Sequence, residues 1–329
     1  MDNLNHKLIV SHSPHIKGLD SVQLTMLDVI IALLPPLIAG VWIMGFRASL
    51  LTLVCVVSCV FFEWAWQKLL KRPSSISDLS AVVTGILLAL NLPVTLPFWI
   101  AIIGSFFAIV IVKQFFGGIG HNFMNPALAA RAFLLTSWAL PMTTWIAPFQ
   151  KINIFANADV VTSATPLALI KAGETANLPS YANLFMGTVG GCIGETSALA
   201  ILIGAAYLVY RKVINLRTPV AYIVTAAVIT WAFGGDKFGT GDFIYHILSG
   251  GLLFGAFFMA TDYTTTPYTP LGQIIFGIGC GVLTSVIRLY GGYPEGVSYS
   301  ILLMNIVTPL IDKFTAPKRF GGKEAKAND

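Results

Sequence analysis

Residues 22–46 read VQLTMLDVIIALLPPLIAGVWIMGF, with Asp28 the one charged side chain in the run. A helix needs about 20 predominantly apolar residues to cross the hydrocarbon core of a bilayer, so the run predicts a membrane span. Nine further apolar stretches follow, at approximately 48–69, 79–92, 98–112, 125–140, 187–210, 218–233, 243–261, 272–290 and 297–311. Composition agrees with that reading. Of 329 residues, 56% are hydrophobic and 11% charged, whereas a soluble domain carries about 25% charged residues. Soluble, disordered, collagenous and disulfide-scaffold classes are excluded. The expected fold is an all-α polytopic membrane protein of about ten transmembrane helices.

The basic residues give the orientation. Fourteen Lys and Arg fall in the N-terminal tail, the even-numbered connections and the C-terminal tail. Five (Arg47, Lys151, Lys171, Lys237 and Arg288) fall in the odd-numbered connections, and Arg131 lies within a span. Positive charge stays on the cytoplasmic side, so both termini are expected in the cytoplasm and the longest connection outside. No cleavable signal peptide is visible in the polar first 20 residues. The expected organisation is a cytoplasmic tail over 1–20, a five-helix unit over 21–140, and an extracytoplasmic loop over 141–186. A second five-helix unit over 187–312 and a basic cytoplasmic tail over 313–329 complete it.

Two passages echo each other. Leu79-Ser80-Ala81 with Gly85, ending at Asn91-Leu92-Pro93, resembles Leu248-Ser249-Gly250 with Gly255, ending at Ala260-Thr261-Asp262. Gly117-Gly118 before Asn125-Pro126 likewise resembles Gly291-Gly292 before Pro294 and Asn305. The offset is about 170 residues, and a unit with an odd number of spans must return inverted, giving a 5+5 inverted repeat. Short or Gly/Pro-interrupted segments at matching places in two halves point to a midplane site. Non-helical backbone there must line a cavity enclosed by protein.

Asp28, Glu63, Lys113, Arg131, Glu195, Asp262 and Arg288 lie in or at the rims of spans, where ionisable groups are costly and mark functional positions. Glu63, beside Trp64 and Trp66, is expected to snorkel to the cytoplasmic rim, and Asp28 to do the same. Arg131 either forms a structural ion pair with Glu195 or is itself a functional group that holds the dipole of a bound cofactor. Glu195, Arg131 and Asp262 are the candidates for ion coupling. The glycines of Gly190-Gly191-Cys192-Ile193-Gly194-Glu195 read as close helix packing. The cysteines read as small apolar helix residues. Cys55 and Cys59, one turn apart, could ligate a metal only with help from elsewhere, so no metal or iron–sulfur site is expected from this chain. No Gly-rich nucleotide loop follows a strand, and no nucleic-acid partner is expected.

The long loop contains Asp159-Val160-Val161-Thr162-Ser163-Ala164-Thr165-Pro166-Leu167. From the residues alone, Thr165 is biased to extended backbone by the following proline. It reads as the N-cap of a helix with Pro166 at its first position. The stretch also resembles the motif at which a flavin transferase esterifies a threonine hydroxyl with the phosphate of FMN. Asp159, Thr162, Ser163, Ala164 and Thr165 fit that motif, and Val160 departs from it. Three other stretches match the same family: Lys113 to Asn122 with Asn125-Pro126-Ala127, Gly255-Ala256-Phe257-Phe258 with Thr261-Asp262, and Arg288 to Val297. Together they resemble the RnfD component of the Rnf complex, a relative of the NqrB component of the sodium-pumping NADH:quinone reductase. Pro166-Leu167 after the threonine favours the Rnf kind over the quinone-reducing kind.

The resemblance implies a membrane electron-relay subunit of a ferredoxin:NAD⁺ oxidoreductase that translocates Na⁺ or H⁺, in a bacterial or archaeal cytoplasmic membrane. It implies covalent FMN on Thr165 and, less directly, noncovalent riboflavin near Asn91, Asn125 and Thr261-Asp262. Arg288, with Tyr290 and Gly291 beside it, could receive FMN phosphate or a ring edge, although Gly291 as a helix C-cap explains the glycine equally well. Implied partners are the other Rnf subunits, among them an extracytoplasmic FMN subunit and cytoplasmic iron–sulfur and NAD subunits, together with the flavin transferase. The competing readings are a flavin-free small-solute transporter, a flavin-free scaffold subunit, and a component of the quinone-reducing relative.

Overall fold

The computed structural model describes residues 21–150, 163–174, 178–235 and 237–317. Among the described residues every regular element is a helix. Ser21 caps the first, α1 (Val22–Met44), by accepting the Leu24 N–H at 3.2 Å. At 1.5 Å per residue α1 is about 35 Å long, enough to cross a bilayer core. Gly45 alone joins it to α2 (Phe46–Leu69), at φ +84°, a left-handed conformation that costs glycine nothing. α13 (Pro270–Tyr290) and α14 (Val297–Thr315) are also long and apolar enough to cross.

Between these pairs the helices are short. α3 (Ser80–Leu90) stops at Asn91, two residues before Pro93. α4 (Phe98–Phe106) continues as a wide π-helical turn over Phe107–Gln114 that brings Lys113 and Gln114 into the interior. Such π segments concentrate at functional positions. α5 (Pro126–Ser137) and the single turn α6 (Ala139–Met142) complete the first half. α7 (Pro166–Ala172) and α8 (Tyr181–Met186) belong to the long connection. α9 (Ala198–Tyr210) and α10 (Arg217–Phe233) open the second half.

Two expected spans are corrected. The stretch 187–210 is helical only from Ala198, apart from a 3-10 turn at Ile193–Glu195. Its first part is held by tertiary contact instead: the Ile193 N–H donates to Leu92 O at 3.2 Å, and a Cβ on Gly194 would come within 2.7 Å of Leu90 Cβ. The stretch 243–261 is not one helix. α11 (Phe243–Leu248) ends at Ser249, Gly250 takes φ +66°, and α12 (Leu252–Phe254) runs on as a π turn through Met259.

The ends of the bundle are fixed by contacts. Asp28, near the start of α1, meets Tyr207 and Arg211 at the end of α9. Ile43, at the other end of α1, accepts the Phe149 N–H at 2.9 Å. The Ser163 N–H donates to Trp145 O at 3.0 Å, which places the Thr165 segment at the end away from Asp28. α1 packs on α9, with Gly204 against the Ala32 carbonyl, and α10 on α13, with Gly277 and Gly281 against Thr218 and Tyr222. Small residues permit such backbone approach. Exposed Val220, Val224 and Val228 on α10, and Leu53, Val57 and Phe61 on α2, form outward apolar stripes at helical spacing. Those faces suit lipid rather than water.

A buried arginine centre beside the Thr165 pocket

Asn125 starts α5 by accepting the N–H groups of Ala127 at 3.0 Å and Leu128 at 3.2 Å, and Pro126 fills the first helical position. Arg131 follows within two turns and is 6% exposed. Its Nη1 donates to Asn91 Oδ1 at 3.2 Å, Ser298 Oγ at 3.1 Å and Glu195 Oε1 at 3.4 Å. Its Nη2 donates to Cys192 Sγ at 3.4 Å and to the Glu295 carboxylate. The Cys192 thiol in turn donates to Asn91 O at 3.3 Å. The end of α3, the segment before α9 and the start of α14 therefore meet on one guanidinium. Arg131 and Glu195 come together as the sequence allowed. Glu295 is not among the residues that span position singles out, although an acidic residue between a Gly-Gly turn and a span is the signal that marks it.

Cys192, Glu195 and Glu295 bring their ligand atoms within 4.8 Å of one another. Arg131 donates to all three, so its guanidinium fills the position a metal ion would need. Cys55, Cys59 and Cys280 are free and buried, as expected of small apolar helix residues.

Glu295 and Arg131 also line a cavity of about 450 Å³. Trp145, Tyr293 and Tyr299 supply aromatic wall, and Ser163, Ala164 and Thr165 line it as well. Thr165 is 4% exposed, and its Oγ1 accepts the Ala168 N–H at 3.2 Å as the N-cap of α7. The predicted cap is therefore present in the same residue that faces the cavity. The Ser163 hydroxyl is buried without a protein partner. A cavity of this size, with aromatic sides, a buried hydroxyl to satisfy and a threonine at its edge, fits a flavin nucleotide. Asp159 and Thr162 lie outside the described residues.

A second cavity, of about 660 Å³, lies at the end of the bundle near Asp28 and Arg211. Asn125, Thr261, Asp262, Lys113 and Ser80 line it, so three of the four residues expected near a second flavin share one chamber. Asn91 does not; it belongs to the Arg131 centre. Asp262 accepts from the Thr264 and Thr265 hydroxyls at 3.2 Å each and anchors its own loop.

The remaining charges are placed as follows. Glu63 does not snorkel: it is 0% exposed and pairs with Lys113 at 2.8 Å. It also accepts from Ser75 and Gln114 at 3.0 Å each. Asp28 is buried too, pairing with Arg211 at 3.1 Å and accepting from Tyr207 at 2.8 Å. Arg288 donates to His246 O and, at 3.2 Å, to Ser249 O. It thus caps the break between α11 and α12 and does not line the Thr165 cavity. Gly291 ends α13 by donating to Ile287 O. In the long connection, Tyr181 donates to Asp242 at 2.5 Å, which holds its phenol above the ordinary tyrosine range.

The family model described as "NQR2, RnfD, RnfE family" matches residues 9–321. The chain belongs to this family. It is 54% identical over 333 residues to the D component of the Na(+)-translocating ferredoxin:NAD(+) oxidoreductase complex of Acetobacterium woodii, covering 99% of this chain and 100% of that protein. It is 46% identical over 321 residues to the D component of the proton-translocating ferredoxin:NAD(+) oxidoreductase complex of Clostridium ljungdahlii, covering 95% and 96%. The D component of the ion-translocating oxidoreductase complex of Halorhodospira halophila is 37% identical over 335 residues, covering 94% of each. Membership of the NQR2, RnfD, RnfE family agrees with the membrane-length helices and with the resemblance carried by the Thr165, Lys113–Asn122 and Arg288–Val297 stretches.

Proposed function

We propose that this chain is the membrane electron-relay subunit of a ferredoxin:NAD⁺ oxidoreductase complex, with FMN esterified to Thr165 and electron transfer coupled to Na⁺ or H⁺ translocation. The observation that carries the reading is Thr165 itself, a near-buried hydroxyl at the edge of an aromatic cavity of about 450 Å³. Bound there, FMN supplies one- or two-electron steps, while the protein sets its environment. Thr165 anchors the phosphate, and the α7 cap fixes its backbone. Trp145, Tyr293 and Tyr299 enclose the ring space, and the Ser163 hydroxyl is free to hydrogen-bond within it. Asp159, Thr162, Ser163 and Ala164 form the stretch that the flavin transferase reads.

Riboflavin, as a second and noncovalent flavin, is assigned to the 660 Å³ chamber with Asn125, Thr261 and Asp262. A pocket at each end of the bundle suits a relay between an extracytoplasmic FMN subunit and cytoplasmic iron–sulfur and NAD subunits. The charge asymmetry supports cytoplasmic termini and an extracytoplasmic Thr165. A ten-pass 5+5 inverted arrangement is supported by the short, broken segments at matching places and by the contact of Asn91 with Met259, 168 residues on. The units fall at 21–140 and 187–312, with the loop over 141–186 between them. Arg131 and Glu195 belong to the ion-coupling machinery, and Asp262 borders the cytoplasmic chamber. Arg288 acts on the α11–α12 break.

In-gel flavin fluorescence of the denatured protein, made together with the flavin transferase, tests the proposal. Fluorescence should be present in the parent and absent in Thr165→Ala. A dark parent would leave the flavin-free transporter and scaffold readings, and fluorescence surviving in Thr165→Ala would move the anchor elsewhere.

A further inference from the structure

The break between α11 and α12 gathers buried polar atoms that the proposed relay does not use. Tyr245 Oη, His246 Nδ1, Ser249 Oγ and Arg288 Nε each lack a protein hydrogen-bond partner. All four residues are at most 5% exposed. One buried polar group left without a partner costs about 1–3 kcal/mol, and folded proteins rarely leave several side by side. The backbone explains why they collect. α11 stops at Leu248, Ser249 is extended and Gly250 is left-handed, so the carbonyls of the last turn have no helical donor. Arg288 takes two of these carbonyls, which fixes its guanidinium in the break with Nε to spare.

Charge decides what can occupy the break. Arg131 pairs with two carboxylates, Glu195 and Glu295, and Arg288 lies on their other side. A Cβ on Gly250 would be 3.4 Å from Arg288 Nη2 and 3.9 Å from Glu295 Cγ, and one on Gly251 would be 2.7 Å from Glu195 Oε1. Two arginines then balance two carboxylates, so a further cation gains no net attraction, and the flanking carboxylates repel an anion. Water both donates and accepts, so it suits the mixed set of His246 Nδ1, Ser249 Oγ and Arg288 Nε. On the Glu195 side of Gly250, a cavity of about 10 Å³ lined by Gly191, Gly250, Glu195, Glu295 and Thr165 is close to the room one water needs. The unpartnered atoms lie on the other side of Gly250, outside its lining.

We propose that the α11–α12 break holds a short chain of water molecules that hydrogen-bonds His246, Ser249 and Arg288 and reaches the Glu195 carboxylate past Gly250-Gly251. Along it Glu195 exchanges a proton with the end of the bundle that carries Asp242 and Tyr181. When an O–H bond forms on Glu195, the neighbouring water gives up that proton and takes one from the next water. Arg131, Glu295, Cys192 and Arg288 are the charged and titratable groups facing Glu195, and His246 and Tyr245 those facing the chain. The functional half of this inference rests on Glu195 belonging to the coupling machinery; the water site does not.

The test is a map of the intact wild-type complex at a resolution that shows ordered solvent. Density within hydrogen-bond distance of His246 Nδ1, Ser249 Oγ and Arg288 Nε, continuing to Glu195, is the expected result. A dry break, a single anion, or side chains turned to satisfy one another would overturn the water chain, whatever the flavin fluorescence shows. In the same complex in vesicles, Ser249→Ala should slow ion translocation and Ser249→Thr should restore it. Equal rates in all three proteins would remove the chain from the coupling path.

Discussion

Arg131 and Glu295 are 164 residues apart in the chain and joined by a partly buried hydrogen bond at the wall of the Thr165 cavity. The same guanidinium holds Glu195 at 3.4 Å. Arg288 lies farther off on the other side of the two carboxylates, and among the described residues Arg131 is the cation in both ion pairs.

Replacing that side chain should be costly. Arg131→Met leaves two carboxylates buried beside an apolar group, and removing one partner of a buried ion pair typically costs about 3–5 kcal/mol. Glu295→Gln keeps the shape and a hydrogen-bond acceptor and should cost less. Thermal unfolding of the purified complex, followed by release of this protein, gives the order. An Arg131→Met protein as stable as the parent would show that the centre carries no structural weight.

In the proposed reading Thr165 has two separable duties, as flavin anchor and as cap of α7. Thr165→Ala removes the ester oxygen and the α7 cap, the latter worth about 1 kcal/mol. Thr165→Ser keeps a hydroxyl in both roles. Flavin incorporation should therefore vanish in the alanine protein and survive, at least in part, in the serine protein. Proteolytic sensitivity of the outer connection should rise only with alanine.

The pair Glu63–Lys113 predicts strong coupling between two substitutions. Glu63→Gln alone leaves the Lys113 charge buried with neutral acceptors in place of its counter-charge, among them the Ser80 hydroxyl at 2.6 Å. Lys113→Met alone leaves the Glu63 carboxylate without its counter-charge. The double variant removes both charges and should be more stable than either single one, because breaking a buried pair costs more than replacing it. A double-mutant cycle on thermal midpoints reads this, and additive losses would contradict it.

Gly250 links the broken helix to the Thr165 segment. Its φ of +66° costs an L side chain about 1–2 kcal/mol. An added Cβ would also approach Leu167 Cδ1, on α7, to 2.8 Å. Gly250→Ala should therefore push α7 outward and lower flavin incorporation without touching Thr165. Normal incorporation with an unchanged thermal midpoint would rule that linkage out.

Much of this is legible in the sequence wherever the cause is local. The span of α1 follows from its own hydropathy, and the cap at Thr165-Pro166 from two adjacent residues. The break at Ser249–Gly251 is hidden because the apolar run continues through Leu252 to Met259, and hydropathy does not register a change of backbone direction. Residues 187–197 are apolar enough to suggest a helix, but Gly194 packs on Leu90 and the Ile193 N–H donates to Leu92 O, both from the other half of the chain. Glu63 reads as a snorkelling residue for the same reason. Its partner Lys113 is 50 residues away and turned inward by a π segment that no periodicity reports. Glu295 escapes notice because it lies in a turn outside the spans, and only tertiary structure shows that Arg131 reaches it.

The partners of Arg131 are also ordered in time. Translation delivers Asn91 before Arg131, Cys192 and Glu195 some 60 residues after it, and Glu295 and Ser298 about 100 residues later still. Until then the nascent chain holds an arginine with most of its acceptors unmade, in a lipid environment where that charge is expensive. Among the described residues, the start of α14 therefore supplies the last of the contacts around Arg131. A chain cut before residue 295 keeps an arginine without its Glu295 and Ser298 acceptors.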